Sequence, residues 1–478
     1  MSLTSSVRWV VISQCARIAS QLVSVTVLSR LLPQQAYGML AMAMTVTNLA
    51  FLFRDLGTST VIIQKEELSD DLLATVHAIN MITGLSIMTL LLILAVPVSL
   101  AYNVTELASM LAVLSLIFPV SALGLLDQAK IERDSGFRLL ARIDAVSIGA
   151  GLISSISLAL AGAGVWSLVI QMLVVVLMTN LQLRINRVSK TKFRLSATEF
   201  RSIISYGGRI SIFRFLLYFE QNADSMIIGH ALGPVALATY SMSSKITLFP
   251  LQNITGPITR ALFPEFSRNQ NSIAALRKTY IRSVNMICII AAPVMAGVYF
   301  LRADLTAILF GPKWDGIPDV LHWLAPVGFL QAMTATTGVV FMALGRSGLL
   351  LKLGVAGCVL QVSSYFIGIH WGIQGVAECF FIANLINFIP CSVCAMKCLQ
   401  AEWTDALAAI ARPLGACCIM ILALTWMEHA NSLSLLPLVA SAVVKSACAA
   451  SIYFVMLTAV FKQDLSSLYA FLRPSPRI

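Results

Sequence analysis

EFRSIISYGGRISIFRFLLYFEQNADSMIIGH, residues Glu199 to His230, has the length of a membrane crossing and a composition that needs explaining. A bilayer core about 30 Å thick takes about 20 residues of helix at 1.5 Å each. The stretch supplies them, yet it holds Arg209, Arg214, Glu220 and Asp224 within the span. A charge at the centre of a membrane helix costs at least about 2.5–3.5 kcal/mol, and such residues usually face a bundle interior or a watered cavity. Arg214, Tyr218, Gln221 and Asp224 recur at helical spacing and share one face, while Ile212, Phe215, Phe219 and Met226 lie opposite. The spacing predicts a transmembrane helix that lines a cavity. The alternative is that its charges pair with each other or with neighbouring helices for structural reasons alone.

The first helix has the same design. Gln14, Arg17, Gln21 and Ser24 share a face in SSVRWVVISQCARIASQLVSVTVLSRLL. Laying Gln21 on Gln221 also places Gln14 on Arg214 and Ser24 on Asp224. Just beyond, LLPQQAYGML falls on ALGPVALATY, with Ala36 on Ala236 and Gly38 on Ala238. Two polar faces in register point to an internal repeat, a common architecture of transporters whose site lies where the repeats meet.

Of the 478 residues 58% are hydrophobic and 12% charged, against about 25% charged in soluble domains. The chain is predicted to be an all-α polytopic membrane protein. No cleavable signal-peptide pattern stands out from the first helix. Apolar spans fall at about 7–31, 37–63, 74–100, 107–128, 142–162, 165–185, 201–230, 234–265, 281–301, 318–345, 349–370, 373–397, 407–428 and 437–461, giving about fourteen helices. The breaks between them are short: Leu32-Pro33, Gly162-Ala163-Gly164, Gly233-Pro234, Gly345 to Gly348 and Trp371-Gly372. None leaves room for a separate soluble domain.

The net charge of +11 is distributed unevenly. Alternate connections carry Lys65, the Lys130 to Arg142 cluster, the Arg184 to Arg201 cluster, Arg268 to Arg282, Arg346 with Lys352, Lys397 and the tail; the other set holds little beyond Arg30, Arg302 and Lys313. The positive-inside rule puts the first set and both termini in the cytoplasm, against an anionic leaflet, so the charge implies no nucleic-acid partner. The basic connection RINRVSKTKFRLSATEFR reads as a linker between six-helix halves, giving a first lobe 1–190, a second lobe 191–400 and two appended helices with a tail, 401–478. Gly162 to Trp166 parallels Gly372 to Val376, each opening the last helix of its half.

Other patterns carry less. Cys391, Cys394 and Cys398 in CSVCAMKC have no matching second pair and end an apolar span, where cysteine serves as a small hydrophobe. The five histidines are scattered, and neither a Walker A loop nor a nucleophile elbow is present. Arg54 and Asp55, adjacent in the second span, point to different sides of a helix. Lys245 lies near mid-bilayer in the eighth span, which Pro250, Pro257 and Pro264 interrupt as a hinge or a static bend.

LSRLLPQQAYGMLAMAMTVTNLAFLFRDLGTSTVIIQ resembles the opening signature of bacterial polysaccharide transporters, the oligosaccharide-lipid flippases of the MOP superfamily related to MATE exporters. GPVALATYSMSSKITLFPLQNITGPITRALFPEFSR resembles the matching stretch of their second half, and ILFGPKW and GAGVWSLVIQ are also similar. The resemblance extends over essentially the whole chain and is closest to the branch that includes the colanic acid exporter. It implies two pseudo-symmetric six-helix lobes forming a V-shaped central cavity, plus two C-terminal helices. It implies a flippase, not an enzyme, translocating undecaprenyl-diphosphate-linked oligosaccharide for exopolysaccharide, capsule, O-antigen or lipopolysaccharide across the inner membrane. It also implies a monomer without cofactor or metal, in contact with membrane lipids and with a polysaccharide polymerase and chain-length machinery.

The residues fit that chemistry. Arginine stays charged and binds phosphate bidentately, so Arg17, Arg54, Arg209, Arg214 and Lys245 are candidates to hold a diphosphate head group, with Gln21, Tyr218 and Gln221 beside them. Asp55, Glu220 and Asp224 are candidates either for a coupling proton or sodium ion or for counter-ions of the arginines. A cation-coupled MATE-type antiporter would want a net negative or aromatic cavity, whereas these spans hold more Arg and Lys than acid. A membrane polymerase would want a large outer loop, and the longest here, Arg302 to Asp319, is short.

Overall fold

The computed structural model describes residues 3–186, 193–194, 196, 218–219, 221–251, 266, 268, 272–430 and 437–459. No β-strand occurs among them. The helices are α1 (Leu3–Leu31), α2 (Gln34–Phe51), α3 (Thr58–Gln64), α4 (Asp70–Tyr102), α5 (Glu106–Ser115), α6 (Ile117–Arg133), α7 (Phe137–Leu160) and α8 (Trp166–Ile185). The helical run 221–251 is called α9. Then come α10 (Ile273–Phe300), α11 (Arg302–Leu309), α12 (Ile317–Ala343), α13 (Ser347–Gly368), α14 (Gly372–Leu399), α15 (Trp403–His429) and α16 (Leu438–Ala459).

Ten stretches among the described residues are long and apolar enough to cross a membrane; Glu106–Arg133 contains α5 and α6, and Ser347–Leu399 contains the α13–α14 pair. A bilayer core offers no water to backbone N–H and C=O groups, so an apolar segment closes its hydrogen bonds internally, as helix. Helix ends follow local chemistry. Ser69 caps α4 by accepting from the Leu72 amide, with Asp70 and Asp71 in the positive first turn. Gly162 and Gly345 take the left-handed conformation that ends α7 and α12, with φ of 82° and 66°.

The expected spans from 74 to 185, and the described residues of those from 281 to 461, are occupied by helices with small shifts at their ends. The second expected span, 37–63, is corrected. It is not one helix, because α2 stops at Phe51 and α3 starts at Thr58. Leu56 and Gly57 are both left-handed, with φ of 44° and 79°, and two such residues cannot continue a right-handed helix.

The chain divides into two compact units, Met1–Ala238 and Thr239–Ile478. In the first, α1 packs on α7, α7 on α8, and α4 on both α5 and α6. Ile62, Leu72, Val76, Ile79 and Leu126 form one core patch, and Ile87, Leu91 and Phe118 another. The described part of the expected seventh span belongs here. The Tyr218 hydroxyl donates to the Thr45 carbonyl of α2, and His230 Nδ1 lies 2.7 Å from the Ala101 carbonyl of α4. Gly38 of α2 packs directly on the Pro234 backbone.

In the second unit α10 packs on α12 and α15, α12 on α14, and α13 on α14. The last two helices join this core: Met420 and Tyr453 are buried with Ile287, Met333 and Phe341. Asn285 Nδ2 donates to the Ala409 carbonyl at 2.9 Å, and Tyr453 Oη to the Ile289 carbonyl at 2.9 Å. Cys391 and Cys398 are buried within α14, with Arg346 Nη1 3.1 Å from Cys398 Sγ. α8 opens just after Gly162, and α14 opens at Gly372.

Candidate functional site

The polar face of α1 turns toward α7 and α8. Arg17 Nη2 lies 2.7 Å from Asp144 Oδ2 of α7, and Ser13 Oγ donates to the same oxygen at 3.2 Å. About two turns further along α1, Gln171 Nε2 of α8 donates to Ser24 Oγ at 3.3 Å. Gln182 Nε2 then reaches Ser147 Oγ of α7 at 3.0 Å. A polar seam thus runs between three apolar helices.

Depth follows from the helical rise. Arg17 lies at least six residues, or at least about 9 Å, inside the apolar stretch of α1 that includes Val11–Leu31. Asp144 lies about seven residues, or about 10 Å, from the start of α7. Their 2.7 Å contact puts both charges at one depth. They are also open, with side-chain exposures of 55% for Arg17 and 35% for Asp144. Exposed charge at that depth is costly against lipid tails and affordable beside water. Gln21 is exposed in the next turn.

The α2–α3 break holds the next candidates. The Arg54 guanidinium stands 5.4 Å from the Phe51 ring centroid, a cation–π contact. Asp55 turns the other way and caps α3: its Oδ1 accepts from the Ser59 amide at 2.9 Å and from Ser59 Oγ at 3.0 Å. Thr58 Oγ1 lies 2.5 Å from that oxygen and 2.8 Å from Asn80 Oδ1. Asp55 is thereby tied to the start of a helix.

Tyr218 is buried, its hydroxyl held by α2. Gln221 is exposed and Asp224 half-buried, with Asp224 Oδ1 accepting from the Ser225 amide at 2.6 Å. Lys245 is exposed on the part of α9 in the second unit. Arg209, Arg214 and Glu220 lie outside the described residues, as do Pro257 and Pro264.

Two groups escaped the sequence reading. Asp144 is the partner of Arg17, and its signal was a lone carboxylate inside the fifth apolar span. Lys445 of α16 is the other: its ammonium lies 2.8 Å from Asp304 Oδ2 of α11 and 3.0 Å from Glu428 Oε1 of α15. Its signal was the only lysine within the last span. The second unit also contains an apolar cavity of about 280 Å³ between α10, α12 and α15, lined by Met295, Tyr299, Phe329, Leu414 and Ile421 among others.

A family profile described as "Polysaccharide biosynthesis protein" matches residues 27–319, more than half of the chain. The chain belongs to this family. It is 24% identical over 392 residues to the lipopolysaccharide biosynthesis protein WzxC of Escherichia coli K12, covering 80% of this chain and 79% of that one. It is 24% identical over 436 residues to the succinoglycan biosynthesis transport protein ExoT of Rhizobium meliloti, covering 90% and 87%. Among solved structures, the lipid II flippase MurJ in its inward closed conformation matches with a TM-score of 0.75 at 12% identity, over 96% of this chain and 99% of that one. The fold is therefore that of the flippase, and the chain is a multi-pass membrane protein whose relatives are named for polysaccharide biosynthesis.

Proposed function

We propose that this protein is a flippase that carries undecaprenyl-diphosphate-linked oligosaccharide repeat units across the bacterial inner membrane by alternating access. The observation that carries this reading is Arg17, a permanently charged and accessible guanidinium at membrane depth, in a chain of a polysaccharide biosynthesis family. A lipid-linked sugar diphosphate is anionic and too polar to cross unaided, and arginine matches phosphate geometry. Gln21, Arg54, Arg209, Arg214, Tyr218, Gln221 and Lys245 complete the proposed site. Glu220 and Asp224 serve as counter-ions or as carriers of a coupling ion; Asp55, already capping α3, serves structure first. The apolar cavity beside α15 suits a hydrocarbon chain.

On this reading the protein is not an enzyme, acts as a monomer, and hands its product to a polymerase and chain-length machinery. The segments 1–190 and 191–400 are the two copies of the repeat, and 401–478 is the addition. Both termini face the cytoplasm, which predicts an accessibility pattern. In a background lacking the exposed Cys15 and Cys418, a cysteine at Asn103 should react with an impermeant reagent from outside, and one at Arg346 should not. Reversed labelling would overturn the orientation.

The functional test is deletion of the gene followed by identification of the lipid-linked oligosaccharide that accumulates on the cytoplasmic side. Complementation with Arg17→Ala should lower export per inserted molecule by about 10–100-fold, the equivalent of a charged hydrogen bond worth about 1.5–3 kcal/mol. Arg17→Lys should fall between, because it keeps the charge and loses the fork. The double variant Arg17→Ala with Asp144→Ala removes the stranded carboxylate and controls for folding. Normal export per molecule from Arg17→Ala ends the claim that this residue handles substrate.

A further inference from the structure

The pair between α1 and α7 is only half of what a guanidinium and a carboxylate can make. Both contacts to the carboxylate, from Arg17 Nη2 at 2.7 Å and from Ser13 Oγ at 3.2 Å, converge on Oδ2. The strongest guanidinium–carboxylate pairs are bidentate, with two parallel N–H···O bonds. Here one edge of the Arg17 fork is left without the carboxylate, and the side chain is 55% exposed. The arginine is thus neutralised and still open to a second anion.

That arrangement answers a specific electrostatic problem. A bare guanidinium about 9 Å inside an apolar span is costly when the site is empty. A carboxylate held permanently beside it would repel an incoming diphosphate. We propose that Asp144 is an exchangeable counter-ion, which neutralises Arg17 in the empty protein and is displaced from it by the diphosphate of the substrate. The inference rests on the flippase reading and names a residue that sets how tightly that site holds its ligand. A diphosphate brings more charge and more acceptor oxygens than one carboxylate, so it wins the guanidinium. The competing carboxylate lowers the net affinity, because the ligand's gain is only the difference between two pairings. A transporter needs that moderation, since a head group bound too tightly is not released.

The structural alternative is that the pair only pins α1 to α7. Binding separates the two. The full-length protein in nanodiscs is titrated with farnesyl diphosphate, a short prenyl diphosphate, as wild type, Asp144→Asn, Ser13→Ala and Arg17→Gln. Asparagine is nearly isosteric and keeps an acceptor for Ser13 and Arg17. It should raise affinity about tenfold over wild type and lower export per molecule through slow release. Ser13→Ala, which loosens the hold on Oδ2 without removing charge, should raise affinity in the same direction by a smaller factor, and it serves alone if Asp144→Asn does not fold. Arg17→Gln should lose binding. If wild type binds and both Asp144→Asn and Ser13→Ala bind no more tightly, the exchange is overturned and the flippase reading stands. If neither wild type nor any variant binds farnesyl diphosphate, the flippase reading fails as well.

Discussion

Gly38→Ala should remove most folded protein from the membrane. A methyl group built on Gly38 would stand 1.7 Å from the Pro234 carbonyl oxygen, 2.3 Å from its carbon and 2.7 Å from its Cα. All three are backbone atoms, so no side chain can rotate away. α2 would have to lift off the turn at Gly233, whose φ of 81° marks a left-handed bend. The neighbouring contacts would open with it: Tyr218 to the Thr45 carbonyl, and Gly229 against Tyr102 and Met42. Inserting a methyl into a well-packed site typically costs about 1–3 kcal/mol, and more where backbone must move. Single domains are stable by about 5–15 kcal/mol, so a loss of this size shows as lower amount and lower melting temperature. The measurement is folded protein recovered in detergent, by monodispersity, for wild type and Gly38→Ala. Equal recovery with an unchanged melting temperature would mean that α2 and Pro234 do not meet as described.

Lys445→Met should be at least as damaging, for an electrostatic reason. The Lys445 side chain is 11% exposed and Asp304 18%, so each depends on the other for the charge it has taken out of water. Removing one partner of a buried pair typically costs about 3–5 kcal/mol, because the remaining charge is stranded. Glu428, 52% exposed, keeps water and contributes little of that cost. Asp304 on α11 is the stranded group. Lys445→Met with Asp304→Asn should therefore recover most of the lost stability, and Lys445→Met with Glu428→Gln should recover much less. Thermal melting of wild type, the three single variants and the two doubles in one detergent measures the coupling. Additive losses in the Asp304 cycle would show that α16 is not held to α11 by charge.

The polypeptide by itself determined where helices start and stop. Span length, apolar composition and glycine or proline at the breaks are properties of consecutive residues, and a bilayer leaves an apolar segment no alternative to helix. Gly162, Gly345 and Gly372 were readable as breaks, and each has positive φ. The α2–α3 break was harder to see. Asp55-Leu56-Gly57 looks like the interior of one apolar span until Asp55 is found capping Ser59, with Leu56 in a left-handed conformation that ordinary side chains avoid.

Charge inside a span was also legible, which is why Arg17 was a candidate from sequence. Its partner was not. A helical face states which residues point the same way, but it does not say which helix lies opposite or at what rotation. Asp144 stands 127 positions further along the chain, and only the packing of α1 on α7 brings them together. Packing also joins the Tyr218 hydroxyl to the Thr45 carbonyl of α2, a partner that its helical face does not reveal. Lys445, Asp304 and Glu428 come from three helices and become one ionic cluster only after folding. Local hydrogen bonding and hydropathy fix the helices one at a time. The pairing of charges depends on distances between helices, which only the tertiary structure sets.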